Sequence, residues 1–107
     1  MRHIKRERTA EILHHLAAEF VRDNSTPASL ITITRTELNP SGKHAVIFFT
    51  TIPENQQETA EKFLERKTSE FVRFTRDNSK IGIMPFIVFK IDFGERNRQR
   101  LDELSRG

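Results

Sequence analysis

The start of the chain carries a high density of positive charge. Its first eight residues hold a single acid, Glu7, against four basic residues: Arg2, Lys5, Arg6 and Arg8. If this segment is helical, the helix dipole favours acids in these turns, so helix stability does not explain the sign of the charge. We therefore predict that these cations bind phosphate groups. The alternative is a solvated helix terminus that has no ligand.

A second run of cations lies in the later half of the chain. It consists of Arg66, Lys67, Arg73, Arg76 and Lys80. Arginine and lysine contacts to phosphates provide most of the affinity of non-specific nucleic-acid binding, so both runs are candidate RNA-binding residues. The acids Glu54, Glu58 and Glu61 precede this run, and the helix dipole also favours acids first and bases last. The charge order alone therefore leaves a purely structural explanation open.

Residues typical of catalysis or metal binding are sparse. Glu11 and His15 are four residues apart on one face of a predicted helix, but His14 projects about 100° away from His15. No third ligand follows at metal-site spacing. The chain has no Cys, no glycine-rich phosphate loop and no Gly-x-Ser-x-Gly motif. We predict solvated histidines, no metal, no cofactor and no enzymatic activity.

Length and composition predict one domain that spans residues 1–107. A chain of this length buries roughly 65% of its unfolded surface on folding, which gives one modest core. Nine Phe without Trp or Tyr indicate that the aromatic residues serve burial first. The net charge is +3 and the pI is about 9.7. With neither an apolar run of membrane length nor a secretory signal, the sequence favours a cytoplasmic protein that does not bind membranes.

Hydrophobic periodicity predicts a helix, a hairpin and a second helix. The first helix runs from about His3 to Asp23, with an apolar stripe at spacings of three and four. Strands over Leu30 to Leu38 and Ala45 to Phe49 flank the turn Asn39-Pro40-Ser41-Gly42 and form an antiparallel hairpin. The second helix starts near Pro53 or Asn55, where Asn55 and Glu58 resemble a capping box, and ends near Asp77.

The remaining segment predicts a strand and completes an α+β fold. The strand runs from about Ile83 to Phe93, and Pro85 makes it an edge strand or gives it an irregular start. A helical crossover places it parallel to the second strand, so the mixed sheet has three strands in chain order with both helices on one face. Phe71 and Phe89 are predicted core residues. Residues 94–107 form a basic C-terminal segment or a short helix.

The α-β-β-α-β order is that of a type II KH-like domain, and short motifs make the resemblance more specific. The chain resembles the ribosome-binding factor A family at its basic opening, its second strand, its second helix and its last strand. The matching residues are Lys5 to Ala10, Ala45 to Phe49, Glu70 to Arg73, and Pro85, Ile87, Phe89 and Asp92. The resemblance covers nearly the whole chain.

This resemblance implies an RNA-binding maturation factor of the small ribosomal subunit that acts in rRNA processing and ribosome biogenesis without catalysis. The implied partners are the small-subunit precursor and its rRNA, bound by a monomer. The family's Ala-x-Gly helix kink falls on Thr68, Ser69 and Glu70, where no Gly is present. We expect a shallower kink there, with RNA contacts displaced towards Arg73 and Arg76. The alternative is a protein-interaction module that uses an exposed strand edge or a Phe-rich surface.

Overall fold

The computed structural model describes residues 2–24 and 30–94, with the side chains of the first helix described from Glu7 onward. The helix α1 spans Arg2–Asn24, and the strands β1 and β2 span Leu30–Leu38 and His44–Ile52. A short 3-10 turn leads into the helix α2, Gln57–Asn78, and the strand β3 spans Phe86–Ile91. Except for Gly94, the predicted C-terminal segment 94–107 lies outside the described residues.

The three strands form one mixed sheet in the order β1-β2-β3. The β1–β2 pair is antiparallel and the β2–β3 pair is parallel, so Ile47 lies between Thr36 of β1 and Phe89 of β3. A bulge between Ile33 and Arg35 shifts the β1 register. The predicted α+β fold, with its three-stranded mixed sheet and α-β-β-α-β order, is confirmed.

Both helices cover the same face of the sheet. The buried strand residues alternate along each strand, as expected for a sheet with one covered face. They are Ile31, Ile33, Ala45, Ile47, Phe49, Thr51, Ile87 and Phe89. From α2, the Phe71 ring lies 5.4 Å edge-on from Phe20 of α1 and 5.4 Å edge-on from Phe89 of β3. The predicted core positions Phe71 and Phe89 are therefore confirmed.

Backbone hydrogen bonds fix the hairpin turn. The Gly42 N–H donates to the Asn39 carbonyl at 2.9 Å, and the Asn39 N–H donates to the His44 carbonyl at 3.0 Å. The Asn39 side-chain oxygen accepts the His44 N–H at 3.0 Å. Gly42 has a φ of 74°. This conformation costs glycine little because it has no Cβ.

Two sequence predictions need correction. The Asn55 and Glu58 capping box is absent, because a 3-10 turn over Glu54–Gln56 places Gln56 at the N-cap of α2 and no side chain caps it. The third strand is shorter than Ile83 to Phe93. Its partner β2 begins at His44, opposite Phe86, so earlier residues have no strand to pair with, and Ile83 is 90% exposed. Phe93, the predicted end of this strand, lies beyond its observed end at Ile91 and is 62% exposed.

Neither described helix has the combination of length and apolar character that a bilayer crossing requires. In both helices, polar and charged residues lie between the apolar residues of the stripe, so neither helix is apolar along its whole length.

Truncation of either central ring is expected to cost much of the fold's stability. Phe71→Ala or Phe89→Ala leaves a cavity where edge-on ring contacts meet. Such changes cost about 3 to 5 kcal/mol. Urea unfolding followed by far-UV circular dichroism measures the loss. A loss under about 1 kcal/mol at both positions would contradict the observed packing.

A buried hydroxyl predicts a stabilising substitution. Thr75 is fully buried and its hydroxyl has no hydrogen-bond partner among the described residues. An unpaired buried hydroxyl costs about 1 to 3 kcal/mol, so Thr75→Val, which keeps the shape, should raise the free energy of unfolding by about 1 kcal/mol. The matched control is Thr51→Val, because the buried Thr51 hydroxyl donates to the Pro53 carbonyl at 2.8 Å. This control should lower stability, and the same sign for both would argue against the explanation.

Candidate functional site

The C-terminal half of α2 presents one polar face to an open groove. Ser69, Val72, Arg73 and Arg76 follow spacings of three, four and seven, which places them on one side of the helix. The facing wall contains Lys43 and the segment from Met84 to Ile87. We call this cleft, lined by Lys43, Thr68, Ser69, Val72, Arg73, Arg76 and residues 84–87, the α2 groove.

The start of β3 is fixed against the hairpin and forms the second wall of the α2 groove. The Phe86 N–H donates to the Lys43 carbonyl at 2.8 Å. Pro85 is buried beside it, whereas the Phe86 side chain is 66% exposed and its ring lies 6.0 Å from the ring of His44. An exposed aromatic ring therefore lies at the edge of a groove lined by cations.

The electrostatics of the α2 groove favour an anion. Lys43, Arg73 and Arg76 are all exposed. Among the residues that the structure describes, no carboxylate lines the groove and none forms an ion pair with these three cations. None of the three cations is therefore held in an ion pair by a described acid, and Ser69 adds an exposed hydroxyl.

Two of the three predicted kink residues, Thr68 and Ser69, line the α2 groove, and all three lie within an uninterrupted helix. The Thr68 hydroxyl donates to the Leu64 carbonyl at 2.8 Å. A back-bond of this kind often bends helices. Glu70 accepts from Lys67 at 3.4 Å, and the Lys67 ammonium lies 5.9 Å from the Phe63 ring. Lys67 is thus held on another face of α2, away from the groove. The kink itself stays a prediction.

The structure divides the other predicted RNA-binding residues. Arg8 and Lys80, far apart in the chain, line one further groove between α1 and the segment after α2. Arg66 is exposed but lines neither groove. Arg2, Lys5 and Arg6 lie in α1, but their side chains fall outside the described part of the structure.

His14 and His15 of α1 do not form a metal site with the other described residues. The His14 Nδ1 atom lies 3.4 Å from the Thr36 hydroxyl, whereas Glu11 and His15 are exposed. No group of three His, Asp or Glu within the described part of the chain could hold a metal ion.

Lys43 is the groove cation that sequence reasoning missed. A single Lys after a turn does not stand out as a charge run, but the predicted topology contained a signal. In a parallel β2–β3 pair, the segment between α2 and β3 must reach the start of β2, and Lys43 immediately precedes β2. The end of α2 therefore comes close to this residue.

One further cation on the opposite face of the sheet is neutralised. Arg35 pairs with Glu37, its Nε atom lies 3.6 Å from Asp92, and its guanidinium is 3.8 Å from the centre of the Phe48 ring. Asp92 also accepts from the Thr34 hydroxyl at 2.6 Å and from the Gly94 N–H at 2.9 Å. Arg35 thus ties β1 to the residue after β3 and does not offer a free charge.

Comparison with known proteins gives the family. Residues 5–105 match the family described as ribosome-binding factor A. The ribosome-binding factor A of Trichlorobacter lovleyi is 30% identical over 112 residues, which cover 99% of this chain and 89% of the relative.

Two solved structures share the fold. The crystal structure of ribosome-binding factor A from Thermus thermophilus is 18% identical, with a TM-score of 0.71 over 80% of this chain and 93% of that chain. The solution structure of a Thermotoga maritima protein proposed to be a ribosome binding factor A is 22% identical, with a TM-score of 0.59 over 86% of this chain and 88% of that chain. At these identities the structures support the fold, whereas the family match and the Trichlorobacter relative establish that this chain belongs to the ribosome-binding factor A family.

Proposed function

We propose that this protein is a maturation factor that binds the small ribosomal subunit precursor through its rRNA and acts in rRNA processing without catalysis. The observation that carries the proposal is the α2 groove, where Lys43, Arg73 and Arg76 meet without a described carboxylate. Family membership supports a ribosomal ligand, and the groove supports RNA phosphates as the chemistry of contact.

The groove also suggests how RNA is distinguished from a simple polyanion. Sequence-specific RNA recognition commonly stacks unpaired bases on aromatic rings, and the exposed Phe86 ring lies beside the three cations. RNA phosphates would face Arg73 and Arg76 while an unpaired base packs against Phe86. This role differs from the burial role expected of the Phe residues.

The proposal also covers the location of the protein in the cell and its oligomeric state. The protein would act in the cytoplasm, where ribosomal subunits mature, as one domain and as a monomer. Arg8 and Lys80 line a separate cleft, so this proposal assigns them no RNA contact. Arg2, Lys5, Arg6, Arg66 and Lys67 remain candidate phosphate contacts.

Removal of the three groove cations should weaken RNA binding and flatten its salt dependence. For Lys43→Ala combined with Arg73→Ala and Arg76→Ala, we expect at least a tenfold loss of affinity for purified small-subunit precursors. Each phosphate contact contributes about 0.7 to 0.9 to the slope of log affinity against log salt, so the slope should fall by about 2 to 3. Filter binding between about 50 and 200 mM salt measures both.

The control is Lys62→Ala combined with Lys90→Ala, two exposed positions that line neither groove and are not among the predicted RNA contacts. It should bind within about twofold of the unmodified protein if the groove dominates. Co-sedimentation with small-subunit precursors and with mature large subunits tests which particle the protein binds. Equal binding to mature large subunits, or an unchanged affinity of the triple variant, would count against the proposal.

Removal of the negative charge at Glu70 should strengthen RNA binding. Glu70 follows the groove residues Thr68 and Ser69 and holds Lys67, so Glu70→Gln removes a repulsive charge and releases a cation. We expect an affinity gain of about two- to fivefold, equivalent to roughly 0.4 to 1 kcal/mol, that fades at high salt. Glu58→Gln, which removes the same charge from the first turn of α2, is the control and should have a smaller effect. Equal effects of the two changes would indicate a net-charge effect alone.

A further inference from the structure

A second groove runs between α1 and the segment that follows α2. Its first wall is α1 from Arg8 to Glu19, and its second wall is residues 78–83, which are the last residue of α2 and the segment after it. We call it the α1 groove. Its apolar lining is aliphatic and consists of Ile12, Leu16, Ile81 and Ile83. Leu16 is buried in the floor, whereas Ile83 is 90% exposed, so an apolar side chain projects at the rim with little cover.

The polar rim of this groove is mainly basic. Arg8 and Lys80 are exposed and form no ion pair with the described residues, and the exposed His15 of α1 lines the same groove. Glu19 is the one carboxylate among the described lining residues, and it lies 3.9 Å from Arg22 on the same helix. The rim therefore attracts negative charge while the floor attracts aliphatic groups.

Together these features distinguish the α1 groove from an RNA site. Bases gain most from large aromatic rings, and the described lining residues include no Phe, with His15 as their one ring. Phosphate groups would satisfy Arg8 and Lys80 but leave Ile81 and Ile83 in water. An acidic peptide with aliphatic side chains satisfies both parts, because its apolar side covers the isoleucines and its carboxylates face the cations.

We propose that the α1 groove binds an acidic, amphipathic segment of a partner protein. Its helical wall runs from Arg8 to Glu19. At about 1.5 Å per residue this wall is about 17 Å long, which matches about three turns of a docked helix. Aliphatic side chains of the segment contact Ile81 and Ile83, and its carboxylates pair with Arg8 and Lys80. This proposal goes beyond RNA binding and does not depend on the α2 groove.

Three synthetic peptides of about twelve residues, three turns of helix, test the proposal. The first has Leu at helical spacings of three and four and Glu at the other positions. The second has the same composition with Leu spread evenly around the helix, and the third has Lys in place of Glu. Calorimetry on the unmodified full chain should show at least tenfold tighter binding of the first peptide than of the other two.

A fluorescent substitution tests the location. The chain has no Trp, so Ile83→Trp places a single indole at the exposed rim of the groove. Its emission should shift to shorter wavelength when the first peptide binds. Unchanged emission despite calorimetric binding would show that the peptide binds elsewhere and would overturn the proposal.

A charge swap tests the pairing. Arg8→Glu combined with Lys80→Glu should weaken the acidic peptide at least tenfold and strengthen its Lys counterpart. The matched control is Lys62→Glu combined with Arg66→Glu, which changes the net charge equally at exposed positions outside the groove and should keep the original preference. Circular dichroism checks that each variant is folded.

Other occupants of the groove would give different results. A single-stranded RNA oligonucleotide that shifts the Trp emission with affinity equal to that of the first peptide would make this an RNA site. An emission shift that depends on protein concentration alone would assign the groove to a second copy of the chain. Equal affinities for all three peptides would also overturn the proposal. If the two sites are independent, the Lys43, Arg73 and Arg76 variant loses RNA binding but still binds the first peptide.

Discussion

The fold depends on one column of aromatic contacts. The Phe71 ring lies edge-on to Phe20 and to Phe89, so a single side chain of the crossover helix joins α1 to the edge strand. Such ring pairs contribute about 0.5 to 1.5 kcal/mol beyond their burial. Because Phe71 must lie between the other two rings, α2 can have only one rotation about its axis. That rotation, more than the local charge pattern, decides which side chains reach solvent.

The cationic groove is a consequence of this rotation. Arg73 lies about 200° around α2 from Phe71, on the far side from the core. Val72 lies half-buried between the two faces. The parallel pairing of β2 and β3 then brings the end of α2 towards the start of β2, where Lys43 lies. A cation from an exposed turn and two cations from a helix thus come together through core packing and strand order.

The sequence predicts the helices and strands better than it predicts where they end or which residues they bring together. Strong period-two patterning predicted the observed bounds of β1, and the apolar stripes correctly assigned Phe71 and Phe89 to the core. Ile83 has high strand propensity, but strand formation also needs a partner, which β2 does not provide at that position. Asn55 has a good capping side chain, yet the 3-10 turn places the start of α2 later.

The candidate site was only partly predictable for a related reason. Arg73 and Arg76 belong to a visible charge run on one helix, so their shared groove follows from helical spacing. Arg8 and Lys80 come from distant parts of the chain, and only tertiary packing brings them to one cleft. Lys43 is a single cation in a turn, and its position in the α2 groove follows only from the parallel register of β2 and β3.

The hairpin turn also limits how the chain can vary in length. Exposed turns usually accept insertions, because added residues there cost little loop entropy. In this turn, Asn39 forms hydrogen bonds with Gly42 and His44, which fix the position of Lys43 between them. The Lys43 carbonyl also accepts the Phe86 N–H. One inserted residue would separate these bonds and carry the Lys43 side chain away from α2. Relatives that use this groove should therefore keep the turn at constant length while its exposed side chains vary.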